Sequence, residues 1–196
     1  MSKFYNVLKA SAVLLVLMFS QVSAAKEVKA NQLIPLLDGQ VFSQIMIVRG
    51  EEADTSVRVI YFPEGESLEE WSRQISYGYV NNAEVKAPTE MAASLIKNLQ
   101  AVNPGAKYQA SASEDGSVIL LDFIVAPRSA GFLELNAYRI QQVNGRLYNM
   151  HIIARFPTVG EATKETLAPV IDLRKLALAY MVKRDMTDVV TLLDGI

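Results

Sequence analysis

Residues 107–157 read KYQASASEDGSVILLDFIVAPRSAGFLELNAYRIQQVNGRLYNMHIIARFP, and this stretch decides the fold. Asp115-Gly116 and Asn144-Gly145 stand between runs in which apolar and polar residues alternate, the pattern of tight antiparallel hairpins. The whole segment therefore reads as a four-strand β-meander. A two-residue Asn144-Gly145 loop sets Val143 opposite Arg146 and fixes every pair before it. One face then carries Arg139 with Met150, Ala137 with Ile152, Leu135 with Ala154, and Leu133 with Phe156. The other carries Ile140 with Asn149, Tyr138 with His151, Asn136 with Ile153, and Glu134 with Arg155.

The preceding strand alternates Ile119, Leu121, Phe123 and Val125 with Val118, Leu120, Asp122 and Ile124. A loop through residues 127–131 predicts Val125 beside Leu133, Phe123 beside Leu135 and Leu121 beside Ala137, all on the apolar face. A loop over residues 113–116 pairs Ala112 with Ser117. It adds Tyr108, Ala110 and Ala112 to the same face and sets Lys107 against Asp122. Cross-strand charge pairs contribute only roughly 0.2–1 kcal/mol each, so here they mark register more than they stabilise.

Toward the N-terminus, Lys3 and Lys9 supply a positive region ahead of an apolar run over residues 10–19, and Val22-Ser23-Ala24 offers small residues for cleavage. This predicts a secretory signal peptide over residues 1–24 and a single α+β domain over 25–196, with no membrane span after cleavage. The chain has no cysteine, which closes the lipid-anchored route and any disulfide framework. The expected location is the periplasm, with secretion the alternative. Residues 1–24 carry two lysines and no acid, so their loss leaves 17 basic and 21 acidic residues, a net charge of −4. A weakly acidic chain lacks the concentrated basic surface that a nucleic-acid partner requires.

Residues 41–48 and 57–62 read as a hairpin of strands apolar on both sides, suited to a sheet covered on both faces. Asn31 is placed to cap a short helical turn that Gly39 ends. Ser67 with Glu70 forms a capping box, and Leu68, Trp71, Ile75 and Tyr79 follow at helical spacing, predicting a helix with Trp71 in its core face. A second helix is predicted with Thr89 as its cap and Met91, Leu95, Leu99 and Val102 as its buried stripe. After the meander, Val170, Leu173, Leu176, Ala177 and Tyr180 mark the apolar face of a long helix, with Arg174, Lys175, Lys183 and Arg184 as solvated charges. A short closing turn begins at Thr187. The fold class is α+β, an antiparallel sheet of one hairpin plus the meander, flanked by helices.

Three stretches carry a resemblance: Tyr61-Phe62-Pro63-Glu64-Gly65, Ser67-Leu68-Glu69-Glu70-Trp71, and Gly145-Arg146-Leu147-Tyr148 ahead of the last helix. With the order of elements, they make residues 41–183 resemble the Mog1/PsbP-like α/β/α sandwich family. The resemblance implies a non-enzymatic accessory role and carries over no functional residue.

A single histidine and no cysteine exclude thiolate sites, multi-histidine metal sites and zincin motifs. No nucleophile elbow, P-loop or dinucleotide fingerprint occurs among the ten glycines. Glu51, Glu52 and Asp54 lack calcium-loop spacing and read as a solvated acidic loop. No catalytic residue, metal ligand or cofactor is therefore assigned. The one polar constellation lies on the mixed face of the meander: Lys107, Asp122, Glu134, Asn136, Tyr138, Asn149, His151 and Arg155. Within it Glu134, Tyr138, His151 and Arg155 form the candidate binding surface, for an anionic group or a partner side chain. The alternative is a satisfied polar layer beneath a helix or an ordinary solvent face of a half-exposed sheet. The expected function is an exported, non-catalytic binding or accessory protein of the bacterial envelope, its partner another envelope or secreted protein. A carrier of a small apolar ligand is the alternative, and a hydrolase centred on His151 the third.

Overall fold

Asn144 and Gly145 both lie at positive φ (51° and 78°), the type I′ conformation whose twist matches that of the strands it joins. Around this turn β9 (Phe132–Val143) and β10 (Arg146–Pro157) pair from Val143–Arg146 to Phe132–Pro157 in the register that the turn dictates. This computed structural model describes residues 21–22, 33–50, 56–80, 85–126, 131–158 and 163–196. The predicted signal peptide, apart from Gln21 and Val22, and the acidic loop over residues 51–55 lie outside the described residues.

The remaining elements in chain order are β1 (Gln21–Val22), β2 (Leu36–Leu37), β3 (Gln40–Val41), β4 (Gln44–Arg49), β5 (Val57–Phe62), β6 (Arg73–Val80), α1 (Pro88–Val102), β7 (Tyr108–Ala112), β8 (Val118–Val125), α2 (Lys164–Lys183) and α3 (Met186–Asp194). Eight strands form one antiparallel sheet in the order β1-β4-β5-β6-β10-β9-β8-β7, so the expected α+β class holds. On one face α2 and α3 cover Leu135, Ala137, Met150, Ile152, Ile75 and Tyr77. On the other, α1 packs Ala92, Met91 and Leu95 over Ile119, Leu121, Tyr138 and Ile140. A smaller apolar group of Val48, Ile60, Phe62, Leu68 and Trp71 lies farther along the same face. No helix among the described residues is long and apolar enough to cross a membrane.

Several expectations are corrected. The capping box at Ser67 starts no helix: residues 68–70 bend, and β6 follows as a central strand between β5 and β10. Ser67 N–H donates to the Glu70 carbonyl at 3.0 Å, and Glu66 takes the Ser72 N–H and hydroxyl at 2.7 and 2.6 Å, closing a loop. Ile75, Tyr77 and Tyr79 alternate with Gln74, Ser76 and Gly78, and that period of two, in β-favouring residues, wins over the weaker helical spacing. The helical turn expected before Gly39 is instead the β2–β3 hairpin, turned by Asp38 and Gly39 at positive φ. The helix expected to be capped by Thr89 starts at Pro88 and is capped at Ala87, with Glu90 reaching back to the Ala87 N–H at 3.2 Å. Val102 and Leu176, assigned to buried stripes, are 46% and 44% exposed.

Two ladders of the meander are shifted. β8 pairs with β9 one residue away from the expected register, setting Phe123 opposite Asn136 and Leu121 opposite Tyr138. Phe123 and Leu121 therefore lie on the α1 side, and Asp122 turns toward α2. There the Arg174 guanidinium grips both Asp122 oxygens, with Nη2 at 2.9 Å from Oδ2, so Arg174 is paired rather than solvated. In the β7–β8 turn Asp115 Oδ1 accepts from Ser113 Oγ, Ser117 N–H and Ser117 Oγ at 2.6, 3.0 and 2.8 Å. The turn is thereby widened and Ala112 faces Ile119 instead of Ser117. Gln109, not Lys107, then opposes Asp122, while Tyr108, Ala110 and Ala112 sit exposed on the α1 side.

Candidate functional site

Because β6, β10 and β9 are neighbours, their registers set side chains from three strands in rows on the α1 side of the sheet. One row runs Ile60, Ser76, His151, Tyr138, Leu121 across β5, β6, β10, β9 and β8. The next runs Arg58, Gly78, Asn149, Ile140. Between the apolar group under α1 and that around Trp71 lies a polar seam of Arg58, Ser76, Glu134, Asn136, Asn149 and His151, all buried.

The four residues of the candidate surface do come together. Glu134 and Arg155 are opposed and bonded, with Nε at 3.3 Å from Oε2, and Tyr138 opposes His151 with the two rings stacked at 3.8 Å and 10°. Only Arg155 reaches partly to solvent; Glu134, Tyr138 and His151 are 7%, 2% and 2% exposed. The Arg155 guanidinium lies over the Trp71 ring at 3.6 Å and the Phe132 ring at 4.8 Å. Trp71 thus stacks on a cation from a loop and packs against the Val48, Ile60 and Phe62 group, rather than belonging to a helix core. Of the wider constellation, Asn136 and Asn149 belong to the seam. Lys107 and Asp122 do not, the first being exposed beside β7 and the second facing α2.

The hydrogen bonds assign the protons. Arg155 donates to one oxygen of Glu134, and Asn136 Nδ2 donates to the other at 3.1 Å. Asn136 Oδ1 is therefore the acceptor toward His151 Nε2 at 3.0 Å, so Nε2 carries the hydrogen and Nδ1 the lone pair. Burial, and secondarily the Arg58 charge, hold the His151 pKa well below its usual 6.5, so the ring is neutral at pH 7. Burial likewise pushes the Tyr138 phenol above its ordinary value. Asn149 Oδ1 is buried with no hydrogen-bond partner among the described residues. Gly78 lets β5 approach: a Cβ there would stand 2.9 Å from the Val57 carbonyl oxygen.

Ser76 sits directly across from His151, yet both are buried and no hydrogen bond among the described residues joins them. The neutral imidazole is stacked on the Tyr138 ring and held through Nε2 by the Asn136 amide oxygen. Two seam members lie outside the predicted constellation: Ser76, because its segment carries helical spacing that the β6 strand overrides, and Arg58, whose place on β5 is opposite Gly78 of that same strand. Arg58, the lone charge in an apolar strand, was the available signal. Among the described residues no three His, Asp or Glu cluster as metal ligands. No curated protein matches the chain. A protein-family profile does match residues 44–186, from β4 to the first residue of α3, and the chain belongs to that family.

Proposed function

We propose that this is an exported, non-catalytic binding or accessory protein of the bacterial envelope. Support for export comes from Lys3, Lys9 and the apolar run over residues 10–19. Support for a non-catalytic role rests on one observation: the chain's single histidine is 2% exposed, stacked on Tyr138 and tied to Asn136. The polar face of the sheet then acts as a scaffold that orders Trp71, Phe132 and Arg155 at its solvent margin. Helices on both faces of an antiparallel sheet agree with the Mog1/PsbP-like resemblance. Pull-down from an envelope fraction, with Arg155→Ala and Trp71→Ala as controls, is expected to recover a defined partner that both variants lose. Turnover of any substrate that His151→Ala abolishes would contradict the non-catalytic assignment.

A further inference from the structure

We propose that the outer edge of β7 is a self-association surface, on which a second copy of this chain adds its own β7 antiparallel and joins two sheets into one. This goes beyond the accessory role and stands without it. β7 is the last strand of the sheet, all five of its residues are exposed, and no strand among the described residues lies outside it. Ser113 N–H donates inward to the Val118 carbonyl at 2.9 Å. In an antiparallel ladder the direction alternates, so the N–H and C=O groups of Ala112, Ala110 and Tyr108 point outward.

The strand carries none of the devices that normally protect an edge. Its sequence, YQASA, holds no proline and no charge, and its ladder with β8 is regular over five pairs.

A second copy is the occupant that the flanking charges favour. Lys107 precedes β7 and Glu114-Asp115 follow it, all exposed. Two-fold antiparallel pairing must set a residue opposite itself, and Ala110 is the central residue whose backbone groups face outward. Pairing about Ala110 brings Lys107 of each copy beside the acidic turn of the other, whereas parallel pairing would stack lysine on lysine. The same register lays Tyr108, 40% exposed, over Ala112 of the second copy, where a small residue leaves room for the ring. Three outward residues per copy give about six backbone hydrogen bonds.

Sedimentation equilibrium of the purified chain over a concentration series tests this. The expected result is a reversible monomer–dimer equilibrium. Ala110→Pro removes an outward N–H and leaves the inward bonds to β8 intact, so the monomer folds and the dissociation constant rises at least about tenfold. Lys107→Glu, at an exposed site, weakens the dimer comparably, and adding Glu114→Lys restores it; this pair carries the test if Ala110→Pro fails to fold. A monomer at every concentration, as expected if β7 instead receives a strand from a different protein, overturns the proposal. So does a dimer that neither substitution weakens.

Discussion

Acidification from pH 7.5 to 5.5 should destabilise this protein through one side chain. His151 is the only histidine, so it is the only side chain of the chain whose ordinary pKa lies in that window. In the fold its pKa is well below 6.5, chiefly through burial. In the unfolded chain it titrates near 6.5. The unfolded state therefore takes up a proton as pH falls, while the folded ring stays neutral. Stability is complete above about pH 7.5 and declines below about 6.5, approaching about 1.4 kcal/mol per pH unit until the folded ring itself protonates. At pH 5.5, one unit below the unfolded value, the accumulated loss reaches at most about 1.4 kcal/mol, and carboxylates have hardly begun to titrate. Urea denaturation at half-unit pH intervals measures this directly. The matched variant is His151→Gln, whose absolute stability is lower but whose curve is expected to be flat across the window. A flat wild-type curve, or an equal slope in the variant, refutes the sealed, neutral imidazole.

Further substitutions probe the seam and the packing on both faces of the sheet. Glu134→Ala removes the acceptor for both Arg155 and Asn136 and should cost about 2–3 kcal/mol, less than a fully buried ion pair because Arg155 is partly solvated. Its double-mutant cycle with Arg155→Ala should show coupling of about 1 kcal/mol, and additivity would contradict the seam. Gly78→Ala forces a Cβ against the Val57 carbonyl oxygen and should cost about 1–3 kcal/mol in thermal melts; a neutral result would mean that β5 and β6 are not so close. Leu135→Ala, at a site with no exposure, should cost about 2–5 kcal/mol and exceed Phe123→Ala, whose ring is only half-buried at the edge of the α1 cluster. The reverse order would restore the alternative β8 register.

What could be read from the residues tracked how tightly each turn constrains its strands. Asn144-Gly145 leaves one geometry for a two-residue loop, so the β9–β10 pairs, the Glu134–Arg155 contact and the Tyr138–His151 opposition follow from sequence alone. The β8–β9 connection imposes no such geometry, and residues 118–125 are apolar on both sides except for Asp122. One charge had to mark the face, and it answers to Arg174, which is 52 residues away in sequence. β6 failed for a different reason. Ser67 and Glu70 offer a plausible local cap, whereas its placement between β5 and β10 is a tertiary fact that outweighs local propensity. Losing β6 also hid Ser76, and with it the closed side of the seam. The identities of the polar residues were legible; their burial was not, because alternation looks the same on a wet face and on one covered by helices and loops.

The central claim, that His151 is a neutral, structurally locked group, is tested most directly by two-dimensional NMR of the imidazole nitrogens across a pH titration. A ring that stays in the neutral Nε2–H tautomer below pH 6.5, where a free imidazole is mostly protonated, is the predicted result. Titration near pH 6.5, or a proton on Nδ1, would contradict it.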